Sequence, residues 1–373
     1  MLWHFDYNRF PFLLKVCAIR AKKHTVICFA LLLFELILFI FVSNLFFEKP
    51  LKKPVNAPRL DSNYFIASDN AKLPVRTWFP DNHPVKAVII ALHGFNDYSN
   101  FFNRPGNYLK DFGIASYAYD QRGFGNAPER GYWSITNVST RDLTEITQLV
   151  RNQHPGVPLY LLGESMGAAE IIVAMTRDNP PSVDGVILSA PAVWAWESIP
   201  WYQRTGLWLA NQICPWLTLT GASLHLVPSD NIKMLRELSR DPLVLKKSRI
   251  DTIYGLADLM NHAFEQANQM AKLTLVLYGE RDEIVPERSV YRMLKTLPSN
   301  REWHIALYEN GYHLLLRDLE APIYWRDIAA WIDNPLRNLP SGADKRAATF
   351  FCGRDIHEID GLTTLSFLHE CVI

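Results

Sequence analysis

The chain opens on a long apolar run, then alternates short apolar, β-branched stretches with longer amphipathic ones. Val26 to Phe47, 22 residues, is broken only by Glu35, Ser43 and Asn44. As a helix it rises roughly 33 Å, enough to cross a hydrocarbon core of about 30 Å. A cleaved leader has an apolar stretch of only ~7–15 residues and a small-x-small cleavage site. This run is longer and ends Asn44-Leu45-Phe46-Phe47, so it reads as an uncleaved signal anchor. Glu35, at mid-span, is expected to be protonated or paired with another helix. Further on, Asn63 to Ala67 and Leu73 to Phe79 predict an antiparallel pair about a turn at Asp69-Asn70. Lys86 to Leu92, Ile114 to Tyr119, Pro158 to Leu162, Gly185 to Ser189, Leu273 to Tyr278 and Trp303 to Tyr308 predict strands, several buried on both faces. Helical patterns lie between them at Tyr98 to Phe112, Ser139 to Asn152, Ala168 to Thr176, Glu287 to Thr296 and Asp318 to Ile332. Such alternation predicts an α/β fold with a mostly parallel sheet flanked by helices.

Residues 191–270 break this rhythm. They hold no clear strand but five of the 11 tryptophans, among them Trp194, Trp196 and Trp201, and read as a helical insertion between two strands. The resulting organisation is a basic segment at 1–25, the anchor at 26–47, a Pro-rich linker at 48–60 and a domain at 61–334. A tail at 335–373, weakly periodic, is expected to be loosely ordered.

Composition narrows the function. Half of the 373 residues are apolar and 12% aromatic, which excludes disorder for most of the chain. Charges balance overall, so a nucleic-acid partner is not expected. Residues 1–60 nonetheless hold nine Lys/Arg against three Asp/Glu. Arg9, Lys15, Arg20, Lys22 and Lys23 precede the span and Lys49, Lys52, Lys53 and Arg59 follow it. That bias slightly favours a cytoplasmic N-terminus in a single-pass protein. The domain would then lie on the far side of the membrane, the periplasm in a bacterium. The five cysteines form no Cys-x-x-Cys pair, and no His-Glu-x-x-His occurs, so neither a disulfide framework nor a metal site is indicated. Arg122-Gly123-Phe124-Gly125 lacks the third glycine of a dinucleotide fingerprint, and no cofactor is expected.

Gly163-Glu164-Ser165-Met166-Gly167 stands between a predicted strand and a predicted helix. A sharp strand-to-helix turn needs residues without bulk on either side of the serine. It pushes the hydroxyl over the sheet beside free helix N–H groups. A serine nucleophile needs a base, and the base an acid that orients it. Asp282 follows the strand Leu273 to Tyr278, and His313 follows the strand Trp303 to Tyr308. Both therefore sit at carboxyl ends of strands, where parallel sheets gather functional groups. Glu280 and Glu283 flank Asp282 and are its rivals. For a developing oxyanion, the backbone N–H groups of Met166 and Phe95 are the candidate donors, with Gly94 allowing close backbone approach. His93 is read as holding its loop rather than moving protons.

These motifs resemble the α/β-hydrolase superfamily, in its branch of monoacylglycerol lipases, lysophospholipases and serine-aminopeptidase-like (S33-type) hydrolases. The resemblance runs from about Tyr64 to Ile332. It rests on Leu92-His93-Gly94-Phe95, on Tyr119-Asp120-Gln121-Arg122-Gly123-Phe124-Gly125, on the serine turn, on Asp241-Pro242-Leu243, on Gly279 to Pro286 and on Gly311-Tyr312-His313. Asn126 and Glu164 stand where that branch often has Ser and His. The resemblance implies an eight-stranded sheet with a helical lid at about 191–270, in which Trp194, Trp196 and Trp201 contact substrate. It implies a membrane-anchored serine hydrolase cleaving carboxylic esters, monoacylglycerol or lysophospholipid, through an acyl-enzyme on Ser165. The alternatives are an acyltransferase, a small-ester or peptide hydrolase of the same fold, and a non-catalytic scaffold. His313-Leu314-Leu315-Leu316-Arg317-Asp318 resembles a His-x₄-Asp pattern of acyl-transferring relatives, although Asp318 also suits the N-cap of the last helix.

Overall fold

A computed structural model describes residues 53–221, 226–297 and 303–353. The chain divides into two units at residue 51, and the first lies wholly outside the described residues, as does the expected anchor at 26–47. Among the described residues no helix is long and apolar enough to cross a membrane.

The sheet begins with β1 (Arg59–Leu60), β2 (Tyr64–Ile66) and β3 (Lys72–Trp78), which pair antiparallel in turn. β3 then pairs antiparallel with β5 (Ile114–Tyr119). From there on the sheet is parallel: β5, β4 (Ala87–Leu92), β6 (Leu159–Glu164), β7 (Gly185–Ser189), β10 (Leu273–Gly279) and β11 (Trp303–Tyr308). It has nine strands rather than the eight expected, because the two-residue β1 extends the antiparallel edge.

Strands β4 to β7 are buried along their whole length. Their side chains divide by parity between two cores. Val88, Ile90 and Leu92 join one cluster, with Ile146, Ile171 and Leu294 from helices α2 (Thr136–Gln153), α3 (Met166–Met175) and α7 (Glu287–Thr296). Ile89 and Ala91 face the other, with Leu109 of α1 (Asn103–Leu109) and with Trp325, Ile328 and Trp331 of α8 (Ala321–Asp333). Each fully buried Val, Leu or Ile stabilises by about 1.5–3 kcal/mol relative to exposure. A strand buried on both faces therefore cannot slip register by one residue without moving every large side chain into a differently shaped space.

After β4 the chain steps outward to β5, then crosses back to β6 on the other side of β4. The switch point of the sheet thus lies between the carboxyl ends of β4 and β6, where Leu92 is registered with Gly163. The lid connects the adjacent strands β7 and β10. It holds α4 (Trp201–Ile213), α5 (Ile232–Arg240) and α6 (Ile250–Gln266). It also contains a strand pair the sequence does not signal, β8 (Thr218–Leu219) with β9 (Ser248–Arg249).

The start of the expected loose tail is ordered. Helix α9 (Ala343–Gly353) buries Ala347 in the first core and sets Phe350 5.3 Å from the Tyr291 ring. Asp327 accepts from the Ser341 N–H and hydroxyl, fixing the approach to this helix. The remainder of the tail lies outside the described residues.

Candidate active site

The turn after β6 is held by close backbone approach. A Cβ on Gly163 would stand 2.4 Å from the Ala168 nitrogen, and one on Gly167 would stand 2.4 Å from the Leu92 carbonyl oxygen. Between them Ser165 adopts φ +54° and ψ −111°, a strained conformation for an L-residue. Its N–H donates to the Ser189 carbonyl at 2.9 Å, and its own carbonyl accepts from Ala168, Ala169 and Ala192. The hydroxyl is thereby fixed at the start of α3.

Loops from three strand ends converge on it. His313 Nε2 lies 2.9 Å from Ser165 Oγ, and His313 Nδ1 lies 2.8 Å from Asp282 Oδ2. Asp282 Oδ1 accepts the N–H groups of Ile284 and Val285 at 2.8 and 3.0 Å. A carboxylate accepts only, so Nδ1 carries the imidazole proton and Nε2 is free to accept from the hydroxyl. The three side chains are buried to 9% exposure or less. The rivals are engaged elsewhere: Glu280 pairs with Arg346, and Glu283 accepts from the Val227 N–H.

The loop after β4 passes beside the nucleophile turn, where a Cβ on Gly94 would lie 3.4 Å from that of Ser165. Phe95 follows Gly94 in that loop, and Met166, next to Ser165 in the chain, opens α3. His93 is wholly buried. Its Nε2 accepts the Gln121 N–H at 3.0 Å, so Nδ1–H donates to the Gly94 carbonyl at 2.8 Å. Burial pushes the imidazole down from its ordinary value, keeping it neutral, as the structural reading requires. Asp120 and Arg122 are also structural. Asp120 caps the N–H groups of Ser99 and Asn126, and Arg122 bridges Asp69 and Asp142.

The three tryptophans have different surroundings. Trp194 is half-buried and donates its backbone N–H to Met260. Trp196 packs 5.8 Å from Tyr254 and with it lines a groove of about 380 Å³, shared with Arg204, Thr205 and Trp208. Trp201 is 73% exposed.

Two arrangements escape the sequence reading. Asp318 does not cap α8, the helix expected from Asp318 to Ile332, where Glu320 holds that position. Fully buried, it accepts from the Ser229 hydroxyl at 2.6 Å and from the Tyr312 N–H at 2.8 Å, tying the lid to the residue before His313. Burial pushes its carboxyl up to about 7, against the hydrogen bond from Ser229. Secondly, Arg317 lies buried between Asp97 Oδ2 at 2.6 Å and Glu164 Oε1 at 2.7 Å. Both charges stand beside sequence-legible site residues, Glu164 next to Ser165 and Arg317 four residues after His313, but nothing local in the sequence pairs them.

A family model described as serine aminopeptidase, S33, matches residues 83–320, more than half of the chain. The chain belongs to this family. Monoglyceride lipase of Mus musculus is 29% identical over 277 residues, covering 73% of this chain and 89% of that protein. Monoacylglycerol lipase of Mycolicibacterium smegmatis is 23% identical and covers 72% and 95%. Among solved structures, Paleococcus ferrophilus monoacylglycerol lipase superposes with a TM-score of 0.59 at 23% identity, over 70% of this chain and 98% of that one. A soluble variant of Saccharomyces cerevisiae monoglyceride lipase with a substrate analog gives 0.62 at 20% identity, over 76% and 97%. The α/β-hydrolase fold expected from the motifs is thus present, and the chain is a serine hydrolase of that fold, a carboxylic ester hydrolase.

Proposed function

We propose that the chain hydrolyses the ester of a monoacylglycerol or lysophospholipid through an acyl-enzyme on Ser165, and that residues 26–47 hold it at a membrane. The observation that carries this reading is the unbroken relay from Asp282 through His313 to the Ser165 hydroxyl. As Oγ attacks the ester carbonyl carbon, His313 Nε2 takes its proton, and Asp282 stabilises the imidazolium. The carbonyl oxygen gains the negative charge and is received by the N–H groups of Phe95 and Met166, at the positive end of the α3 dipole. Collapse expels the alcohol, to which His313 returns the proton. Water then enters, loses a proton to His313 and releases the acid by the same steps in reverse order.

The lid supports a lipid substrate. Trp201, Tyr202, Trp208, Trp216 and Leu217 are all exposed on it, an apolar surface suited to an acyl chain or a lipid interface. Monoacylglycerol and monoglyceride lipases recur among the relatives. With Asp318 occupied by Ser229 and Tyr312, the His-x₄-Asp pattern offers no free carboxylate for acyl transfer, and water is the acceptor in this reading. The test is a hydrolysis panel on the purified full chain in detergent micelles: monoolein, lysophosphatidylcholine, p-nitrophenyl acetate and an aminoacyl p-nitroanilide. A long-chain monoacyl ester is expected to give the highest kcat/KM. Preference for the anilide or for acetate would contradict the lipid assignment.

A further inference from the structure

Beneath the nucleophile turn, one guanidinium joins three segments that backbone pairing leaves separate. β4 and β6 are last registered at Leu92 and Gly163, before either the Gly94–Phe95 loop or Ser165 begins. Past that point the side chains of Asp97, Glu164 and Arg317 span the gap. Asp97 belongs to the donor loop. Its N–H reaches the Gly94 carbonyl at 3.3 Å, and its Oδ1 accepts the Tyr98 N–H at 2.8 Å. Glu164 directly precedes Ser165, and its Oε1 would lie 3.8 Å from a Cβ on Gly94. Arg317 ends the turn that follows His313. Its Nη1 holds Asp97 and its Nη2 holds Glu164, so the distance between the two carboxylates is set by a rigid planar fork.

Stability alone does not account for this arrangement. Side-chain exposures are 9% for Asp97, 0% for Glu164 and 6% for Arg317. Glu164 Oε2 and Arg317 Nε have no hydrogen-bond partner among the described residues. Buried ion pairs of this kind contribute little net stability over apolar packing, while removal of one partner leaves an uncompensated charge. Geometry is what they fix.

We infer that Arg317 is a positioning residue for catalysis, acting through Asp97 and Glu164 to hold the Phe95 N–H at the spacing from the Met166 N–H that an oxyanion requires. The inference rests on the acyl-enzyme reading above. Loss of the fork is felt where negative charge develops and not in ground-state binding. kcat and affinity for a tetrahedral mimic therefore fall together, while KM stays.

The test compares the wild-type chain with Arg317→Lys, Arg317→Met and Glu164→Gln. It measures kcat and KM for p-nitrophenyl butyrate, the inhibition constant of an alkyl trifluoromethyl ketone, and Tm. Removing one oxyanion donor outright costs about 10²–10³ in kcat. A displaced donor is expected to cost about tenfold or more in Arg317→Lys, which keeps the charge but has no fork to span both carboxylates. KM should move less than about threefold, and trifluoromethyl ketone affinity should drop by the same factor as kcat. Glu164→Gln keeps an acceptor at the Oε1 position and should lose less than Arg317→Lys. Arg317→Met, which leaves two buried carboxylates without their cation and is expected to lower Tm, is judged by kcat per fluorophosphonate-titrated site. If Arg317→Lys lowers Tm but leaves kcat and inhibitor affinity at wild-type values, the role is structural and the inference is overturned. The same follows if kcat falls without loss of inhibitor affinity. A wild type that does not cleave the butyrate ester overturns the acyl-enzyme reading, and this one with it. An active wild type matched by an active Arg317→Lys overturns this inference alone.

Discussion

At φ +54°, Ser165 holds a backbone conformation that costs about 1–3 kcal/mol, offset by the N–H groups that its carbonyl collects from α3 and the lid base. Strain at a residue with an exposed task is legible in sequence because only glycines fit around it, and Gly163 and Gly167 stand in the motif. Asp282 and His313 were legible for a related reason, since each follows the carboxyl end of a parallel strand. The choice of Asp282 over Glu280 and Glu283 rests on position, and of the three it is Asp282 that stands 2.8 Å from His313. His313→Ala and Asp282→Asn are each expected to lower kcat by about 10³-fold or more, and neither should add much to Ser165→Ala. Glu280→Gln should leave kcat within about twofold. Steady-state kinetics on p-nitrophenyl butyrate decides between the acids. What sequence did not reveal at this scale are partnerships between distant charges: Arg317 with Glu164, 153 residues away, has no local pattern. Glu170 is a further case. Fully enclosed on α3 behind the nucleophile, its carboxyl is pushed up to about 8 by burial and then by the nearby Asp142 charge. Its folded pKa exceeds the unfolded one, so its contribution is intact below about pH 4.5 and is lost progressively as pH rises towards 8. Glu170→Gln does not titrate. Its stability relative to wild type, followed by urea denaturation, should therefore rise between pH 5 and 8 by on the order of a few kcal/mol and level off above that range. A constant difference across that range would contradict the assignment.

Among the elements, the strands were the best read. β5, β7 and β11 have the limits expected from their apolar runs; burial on both faces demands a continuous run in β5 and β7, while the edge strand β11 is buried over its second half only. The stretch expected as one helix from Tyr98 to Phe112 is instead α1 between two tighter turns. The tail was read least well. α9 has weak amphipathicity and is rich in alanine, so its burial depends on the surface offered by β11 and α7 rather than on its own pattern. Phe350, half-buried against Tyr291, should cost about 1–2 kcal/mol when replaced by alanine, less than the 3–5 kcal/mol of a core phenylalanine. An unchanged Tm would show α9 to be dispensable. In the lid, helical content was legible from the break in strand periodicity, whereas the exposure of individual tryptophans was not, since an aromatic run reads the same inward or outward. Each methylene a bound chain buries strengthens binding by up to about 0.8 kcal/mol, nearly fourfold. kcat/KM should therefore climb with acyl length, and Trp196→Ala, which opens the lid groove, should flatten the slope while sparing acetate esters. An identical slope in wild type and variant would remove Trp196 from the chain-binding surface.

For the molecule as a whole, the sheet switch point and the loops after β4, β6, β10 and β11 meet at one largely buried hydroxyl, that of Ser165. The fold was legible because the alternation of strands and helices allows few topologies. A variant lacking residues 1–52 should retain hydrolysis of dispersed short esters within about twofold and lose sedimentation with membranes. Loss of ester hydrolysis in a folded variant would place part of the site in that segment. The central claim is that a covalent acyl group forms on Ser165, and it is tested most directly by acid-quenched intact-protein and peptide mass spectrometry after brief mixing with p-nitrophenyl butyrate. The account predicts one butyryl group, confined to the peptide containing Ser165 and absent from Ser165→Ala. An acyl group on another residue, or turnover that persists undiminished in Ser165→Ala, would contradict it.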